Sequence, residues 1–194
     1  MVSQTTGGSA QSPRVRALSN LPKATLVERT DITEDLFVIK LEPEQGPLKF
    51  KAGQYCTLGL EGIERAYSIV SAPHEPLLEI FVEVVAEGEL TPRMHRMKIG
   101  DQMSIRPRAK GLFIMDPNVH HHFMVSTVTG VAPSIGMIRS YVNEGIRDHK
   151  FYVLMGASYQ DEFVYDQELA EFAAKYPDHI QFVPTVSRPN EDRN

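Results

Sequence analysis

The sequence is poor in cysteine: Cys56 is the only one among 194 residues. No disulfide can form within the chain, and a reducing, cytoplasmic setting is the simpler expectation. Set in "GQYCTLGL", the thiol reads as a small buried hydrophobe rather than a nucleophile. Long apolar runs are also missing. A membrane span needs about 18 consecutive apolar residues, and the nearest approach, 123–138, is broken by Ser, Thr, Gly and Pro. Basic charge is in deficit, with 20 Lys and Arg against 25 Asp and Glu and a net charge of −5. That weighs against a nucleic-acid binder, which needs a clustered basic surface. There is no internal repeat, no G-x-G-x-x-G fingerprint, and no G-x-S-x-G elbow to mark a serine nucleophile. Low complexity is confined to the first twenty residues, rich in Ser, Thr, Gly and Gln, so residues 1–21 are expected to form a disordered tail.

Two styles of sequence meet near Asp116-Pro117. From Ala24 to Phe113, runs rich in β-branched and aromatic residues are separated by Gly or Pro: "ATLVERT", "LFVIKLE", "QYCTLGL", "LEIFVEVV" and "QMSIRP". That spacing predicts an antiparallel sheet or small barrel. "RAYSIVSAP", 65–73, reads as one more strand, opening at Arg65 and closed by Pro73. A helix is expected over "TPRMHRMKIG", with Thr91 as N-cap, Pro92 in the first helical position and Gly100 as the stop.

After Asn118 the rhythm changes. "HFMVST", "KFYVLMGA" and "IQFVPTVS" read as buried strands. Between them, "APSIGMIRSYVNEG" and "EFVYDQELAEFAAKY" read as helices, the first with Ile135, Ile138 and Val142 on one side. Strand–helix alternation with continuous apolar strands predicts a parallel sheet covered on both faces. Three strands and two helices make only part of a doubly wound domain, so the fold is expected to be incomplete at its C-terminus.

Three stretches carry candidate chemistry. In "TVTGVAP", Gly130 would allow a sharp turn and a close backbone approach, and Pro133 fits a first helical turn. Such a strand-to-helix turn is either ordinary or a phosphate site at a helix start. In "VSRPN", Ser187 and Arg188 end the third parallel strand, where ligands of open parallel sheets bind. Arg188 is either a solvated arginine or a partner for a ribose 2′-phosphate through paired N–H bonds. In "RAYS", strand parity puts Arg65 and Tyr67 on one face and Ser68 on the other. This is either a surface arginine beside a half-buried tyrosine or a grip on a flat ring with a phosphate tail. The helix start at Leu90-Thr91, with Arg93 beside it, would be the second phosphate anchor. "VHHHF", His120–His122, is not expected to bind a metal, because neighbours on an extended chain face opposite ways. Glu162, Asp166 and Glu168 read as a solvated helix face.

"RAYS", "GELTPRM", "KIGDQMSIRP", "TVTGVAPS" and "VSRP", in this order, resemble the ferredoxin–NADP reductase family of bacterial type, and "FKAGQYCTLGL" matches the strand before the flavin motif. The resemblance covers about residues 22–190. It implies an antiparallel six-stranded β-barrel that binds FAD, 22–117, followed by a partial parallel α/β domain for NADP(H), 118–194. It implies that Arg65 holds the pyrophosphate, Tyr67 stacks on the flavin and Ser68 hydrogen-bonds near N5, with Tyr67 and Ser68 as the catalytic pair. Ala66 belongs to the same strip. Phe81, Val82 and Glu83 would line FAD by their backbone, Leu90 and Thr91 would close on its phosphates, and Thr127 would touch it from the second domain. Thr129 and Gly130 would shape the NADP approach, and Ser187 and Arg188 would take its 2′-phosphate.

The implied activity moves electrons between NADPH and ferredoxin or flavodoxin by hydride transfer at N5. The alternatives are an NAD(P)H-dependent flavin reductase or an oxygenase reductase component on the same scaffold. A non-enzymatic β-barrel binding module is the alternative of a different class. The family's phosphate turn is T-G-T-G, whereas Val128 stands here in place of the first glycine. The last strands of the NADP domain and an aromatic C-terminal segment have no counterpart in the sequence, so a truncated chain is expected.

Overall fold

The computed structural model describes residues 20–145 and 148–189. The expected tail lies outside them apart from its last two positions. Six strands, β1 (Lys23–Asp31), β2 (Leu36–Pro43), β3 (Tyr55–Leu60), β4 (Ile63–Ser68), β5 (Leu78–Glu83) and β6 (Gln102–Ile105), form one sheet in the order β4-β3-β6-β1-β2-β5. Every ladder in it is antiparallel. A bulge between Leu26 and Glu28 adds local twist. Leu26, Phe37, Ile39, Leu58, Ile80 and Met103 fill its concave side. The two edges approach one another just past β4: Val70 N–H donates to Glu79 O at 2.9 Å, and Glu79 N–H to Ser71 Oγ at 3.1 Å. The sheet is thus rolled nearly into the barrel that the strand spacing predicts.

Two expectations fail locally here. Arg65–Ser68 close β4 rather than open a strand. The signal missed is Glu61-Gly62, a two-residue loop with φ of 50° and 84° joining Leu60 to Ile63. Positive φ at both loop positions is the I′ turn that matches strand twist. The helix predicted to Gly100 is only α1 (Thr91–His95), and Leu90 holds its N-cap position. The Thr91 hydroxyl is engaged elsewhere, accepting from Val85 N–H at 2.9 Å.

The second sheet is parallel, with β7 (His121–Thr127), β8 (Lys150–Ala157) and β9 (Ile180–Val186) adjacent in sequence order. Helices α2 (Ala132–Asn143) and α3 (Asp166–Lys175) cross between them. Because the strands step in one direction, right-handed crossovers put both helices on the same face. Met124, Val153 and Met155 of the sheet pack there with Ile135, Ile138 and Leu169 of the helices. The expected cover on both faces is therefore not found among the described residues: Phe123 and Val125 are 77% and 73% exposed on the other side. α3 also begins later than predicted. Glu162 lies in a 3-10 turn (Gln160–Glu162), its carboxylate accepting Ser158 and Tyr159 N–H at 2.7 and 3.1 Å. No helix among the described residues is long and apolar enough to cross a membrane.

The two sheets meet along α2. A Cβ at Gly136 would lie 3.1 Å from the carbonyl oxygens of both Val70 and Ser71, so only glycine lets the helix settle on the segment that follows β4. One turn later, Arg139 grips Glu168 of α3 in a fork at 2.6 and 2.8 Å and Glu79 of β5 at 3.0 Å. Glu75 stands 3.5 Å away, and the Tyr165 hydroxyl donates to Glu79 at 2.7 Å. Glu168, expected on a solvated helix face, is thus part of a partly buried ionic cluster.

Cys56 is fully buried, and burial pushes its thiol up to about 12 from an ordinary 9.0. The folded chain holds the thiol neutral. Stability from this group is present below about pH 9 and lost as pH climbs through the raised value. The folded chain is expected to resist an aromatic disulfide reagent at about pH 8 and to react fully once denaturant is added. Rapid labelling without denaturant would contradict the burial.

Candidate functional site

β4 is an edge strand, paired on one side only, with β3. Its register sets Leu58 opposite Arg65 and Cys56 opposite Tyr67, with Thr57 and Tyr55 opposite Ala66 and Ser68. Arg65 and Tyr67 therefore share one face and Ala66 and Ser68 the other, as strand parity predicts. Arg65, Ala66 and Ser68 are exposed and Tyr67 is half-buried against the first core. Burial pushes the Tyr67 phenol up to about 12, against the pull of the Arg65 charge, so it is a neutral ring at every ordinary pH. Four residues in a row thus offer a cation, an open backbone edge, a neutral aromatic ring and a hydroxyl.

The Arg65 guanidinium is held by Glu89 Oε2 at 2.6 Å and by Glu64 O at 2.8 Å. Both side chains of the Arg65–Glu89 pair are more than half exposed, at 52% and 63%. Such a pair is worth only about 0–1 kcal/mol and yields readily to a better anion. Glu89 precedes Leu90 and Thr91 at the start of α1. Leu90 is buried in the first core, so its side chain is structural. Arg93, expected beside the helix start, reaches Glu61 Oε2 at 2.7 Å and the Glu89 carbonyl.

β5 lies against both β4 and the 3-10 turn Val128–Val131, so three candidate segments meet there. Phe81 and Val82 are buried and Glu83 is exposed. The Phe81 ring packs edge-on against Tyr165 at 5.8 Å, in the seam between the sheets. The side chains of Phe81 and Val82 are thus spent on packing, while that of Glu83 is exposed.

The turn after β7 departs from expectation. Gly130 does not occupy the left-handed region; Val128 does, with φ of 42°. A Cβ at Gly130 would meet only Ser126 Cβ, at an ordinary 3.5 Å. A β-branched residue in that conformation costs roughly 1–2 kcal/mol. The strain sits where the T-G-T-G pattern has its first glycine. Thr127 is exposed at the strand end and Thr129 is half-buried within the turn. Beneath them Ser126 Oγ is buried and makes no hydrogen bond among the described residues. An unmet polar atom here suits a site that a ligand or water completes.

Ser187 and Arg188 follow β9, and both are exposed. Their N–H groups donate to Ala157 O and Ser158 O at 3.0 and 2.9 Å, which fixes them at the C-terminal end of β8. Arg188 Nη1 donates to the Tyr159 hydroxyl at 2.9 Å, and its guanidinium carbon stands 5.6 Å from the Tyr159 ring centre. Sequence reading missed Tyr159. Its signal was position: two residues past a parallel strand, level with Arg188. Two open clefts lie elsewhere. One of about 400 Å³ is lined by Phe50, Pro73, Tyr141 and His149, and one of about 490 Å³ by Phe163, Phe182 and Pro184. The Arg65–Ser68 strip is an open shelf on an edge strand. A cation, a stacking ring, a two-way hydroxyl and two threonines at a helix-entry turn fit a flavin dinucleotide by their donor chemistry.

Two family models match the chain. Residues 23–112 match the oxidoreductase FAD-binding domain and residues 124–194 the oxidoreductase NAD-binding domain. A flavodoxin/ferredoxin–NADP reductase from Escherichia coli (strain K12) is 31% identical over 148 residues, covering 73% of this chain and 59% of the relative. A ferredoxin–NADP reductase from Pseudomonas aeruginosa is 31% identical over 172 residues, covering 85% of this chain and 64% of the relative. The chain thus spans about three fifths of the length of these curated relatives. Among solved structures, a ferredoxin NADP+ reductase from Neisseria gonorrhoeae with bound FAD and NADP superposes with a TM-score of 0.76. It is 25% identical and covers 88% of this chain and 70% of that one.

Proposed function

The chain belongs to the ferredoxin–NADP reductase family, and on that footing we propose that it holds FAD on the β4 shelf and passes electrons between NADPH and a one-electron carrier, ferredoxin or flavodoxin. Residues 22–117 are read as the flavin half and 118–194 as the nucleotide half. FAD supplies the chemistry that neither half has: it takes two electrons with a hydride and gives them up singly. The observation that carries the reading is the exposure of Arg65, Ala66 and Ser68 together on an edge strand, next to a strip and turn from both sheets.

In this reading Arg65 exchanges Glu89 for the diphosphate, to which its planar fork is better matched. Tyr67, held neutral, offers its ring face and fixes the plane of the flavin. Ser68 can both donate and accept, so its hydroxyl serves the ring edge near N5 in either protonation state. Ala66, Phe81, Val82 and Glu83 contribute backbone groups, and Leu90 and Thr91 flank the phosphates. Thr127 reaches the flavin from β7, while Thr129 and Gly130 bound the nicotinamide approach. Ser187 and Arg188 take the 2′-phosphate, with the Tyr159 ring as a platform beside it.

Two substitutions test the assignment. Arg188→Ala is expected to cut kcat/KM with NADPH by about tenfold or more while sparing NADH, the loss of a charge-assisted contact worth about 1.5–3 kcal/mol. An unchanged NADPH to NADH ratio would place 2′-phosphate selection on other residues. Glu89→Gln removes the competitor for Arg65 and is expected to tighten FAD about two- to fivefold, by fluorescence titration. Weaker binding would show that Glu89 helps the cofactor rather than competing with it.

A further inference from the structure

The histidine run 120–122 plays no part in the shelf. It stands at the other end of the parallel sheet, where β7 and β8 begin. Strand alternation separates its members. The His121 ring stacks on Tyr152, with centroids 5.9 Å apart, and its Nδ1 is 3.1 Å from the Tyr152 hydroxyl. His122 turns the other way and stacks on Phe151 and His149 at 5.0 and 5.2 Å. His120, just ahead of the strand, faces His149 with ring centres 5.4 Å apart. Its Nδ1 lies 3.0 Å from Asp148 Oδ2. One donor atom each from His120, Asp148 and His149 falls within 4.8 Å of the others.

The local hydrogen bonds prepare His149 as a ligand. Its Nδ1 is 2.9 Å from Val119 O and 3.0 Å from His122 Nε2. A carbonyl can only accept, so Nδ1 carries the ring proton, and the lone pair of the neutral ring is on Nε2. A metal-binding imidazole is typically anchored in this way, through its other nitrogen to a carbonyl. The residue itself is buried, and its carbonyl is pinned by the Tyr141 hydroxyl at 3.2 Å and His179 Nδ1 at 3.0 Å. The 3.0 Å between His120 Nδ1 and Asp148 Oδ2 is close to the edge of a zinc tetrahedron, about 3.3 Å for bonds of about 2.0 Å.

We propose that His120, Asp148 and His149 bind one divalent transition-metal ion, with zinc the best match. Two imidazoles and one carboxylate suit zinc and disfavour calcium or magnesium, which require mostly oxygen ligands. The fourth position is left to water. On binding, the proton on His120 Nδ1 shifts to Nε2, and the metal takes its place between the imidazole and the carboxylate. The ion would fasten the entry of β7 to the entry of β8, at the end of the parallel sheet opposite the turn after β7.

The test is a zinc titration of the full chain against a chromophoric chelator, with circular dichroism to verify the fold. One zinc per chain is expected. His120→Gln and Asp148→Asn, both at exposed positions, are each expected to weaken binding about tenfold or more. His121→Gln, whose ring faces the other side of the sheet, is expected to leave it unchanged. Equal losses from all three variants would mean that the histidine run binds as an unstructured tag, and would overturn the proposal. So would the absence of stoichiometric binding by the folded parent chain.

Discussion

One partly buried guanidinium ties the two sheets together. Arg139 comes from α2, on the parallel sheet, and its strongest partners come from β5 and α3. Burial alone would disfavour its charge, but the hydrogen bonds it donates to Glu168 and Glu79, together with their negative charges, outweigh that and hold the group charged. Removing one member would leave the remaining, partly buried charges without full compensation. Gly136, one turn earlier, brings α2 into backbone contact with Ile69–Ser71. Ser68, the last residue of the shelf, is thus one residue from the seam. The shelf and the turn after β7 belong to different sheets, yet their separation is set by a cluster that neither can move without breaking.

On the proposed reading, that constraint lets an open site be specific. The shelf encloses nothing; it is an edge strand with unpaired backbone and three exposed residues. Selectivity must come from the order of chemical types along it and from the elements that the seam holds opposite. Glu89 holds Arg65 in an exposed pair worth only about 0–1 kcal/mol, weak enough to yield to a better-matched anion. The strain at Val128 lies on the facing side. Backbone strain of this kind persists only where the surroundings over-determine the conformation. Here they are β5 on one flank and α2 on the other.

Much of the fold was legible because its signals are local. Alternating β-branched runs marked five of the six antiparallel strands, and the apolar blocks "KFYVLMGA" and "IQFVPTVS" marked parallel ones. The start of β4 was missed because a Glu-Gly turn is a weaker signal than Asn-Gly, although both loop residues adopt positive φ. α1 was overextended because Thr91 is a good cap in isolation, whereas Val85 claims its hydroxyl. The bare face of the parallel sheet was not legible, since Phe123 and Val125 look as buried in sequence as Met124. Arg65, Tyr67, Ser68, Gly130 and Arg188 stood out by type and position, whereas Phe81, Val82, Glu83 and Thr127 became candidates only through the family resemblance. What sequence could not supply was pairing across distance: Glu89 on Arg65, Tyr159 under Arg188, and Asp148 and His149 brought to His120 from the next strand.

The most direct test of the shelf is an equilibrium titration of the purified, folded chain with FAD, followed by flavin absorbance and fluorescence. The expected result is one FAD per chain, quenched by stacking on Tyr67, with the quench lost in Tyr67→Ala but the stoichiometry retained through Arg65. The contrary result is a folded chain that leaves the flavin free and fully fluorescent at excess protein, which would remove the shelf as a cofactor site.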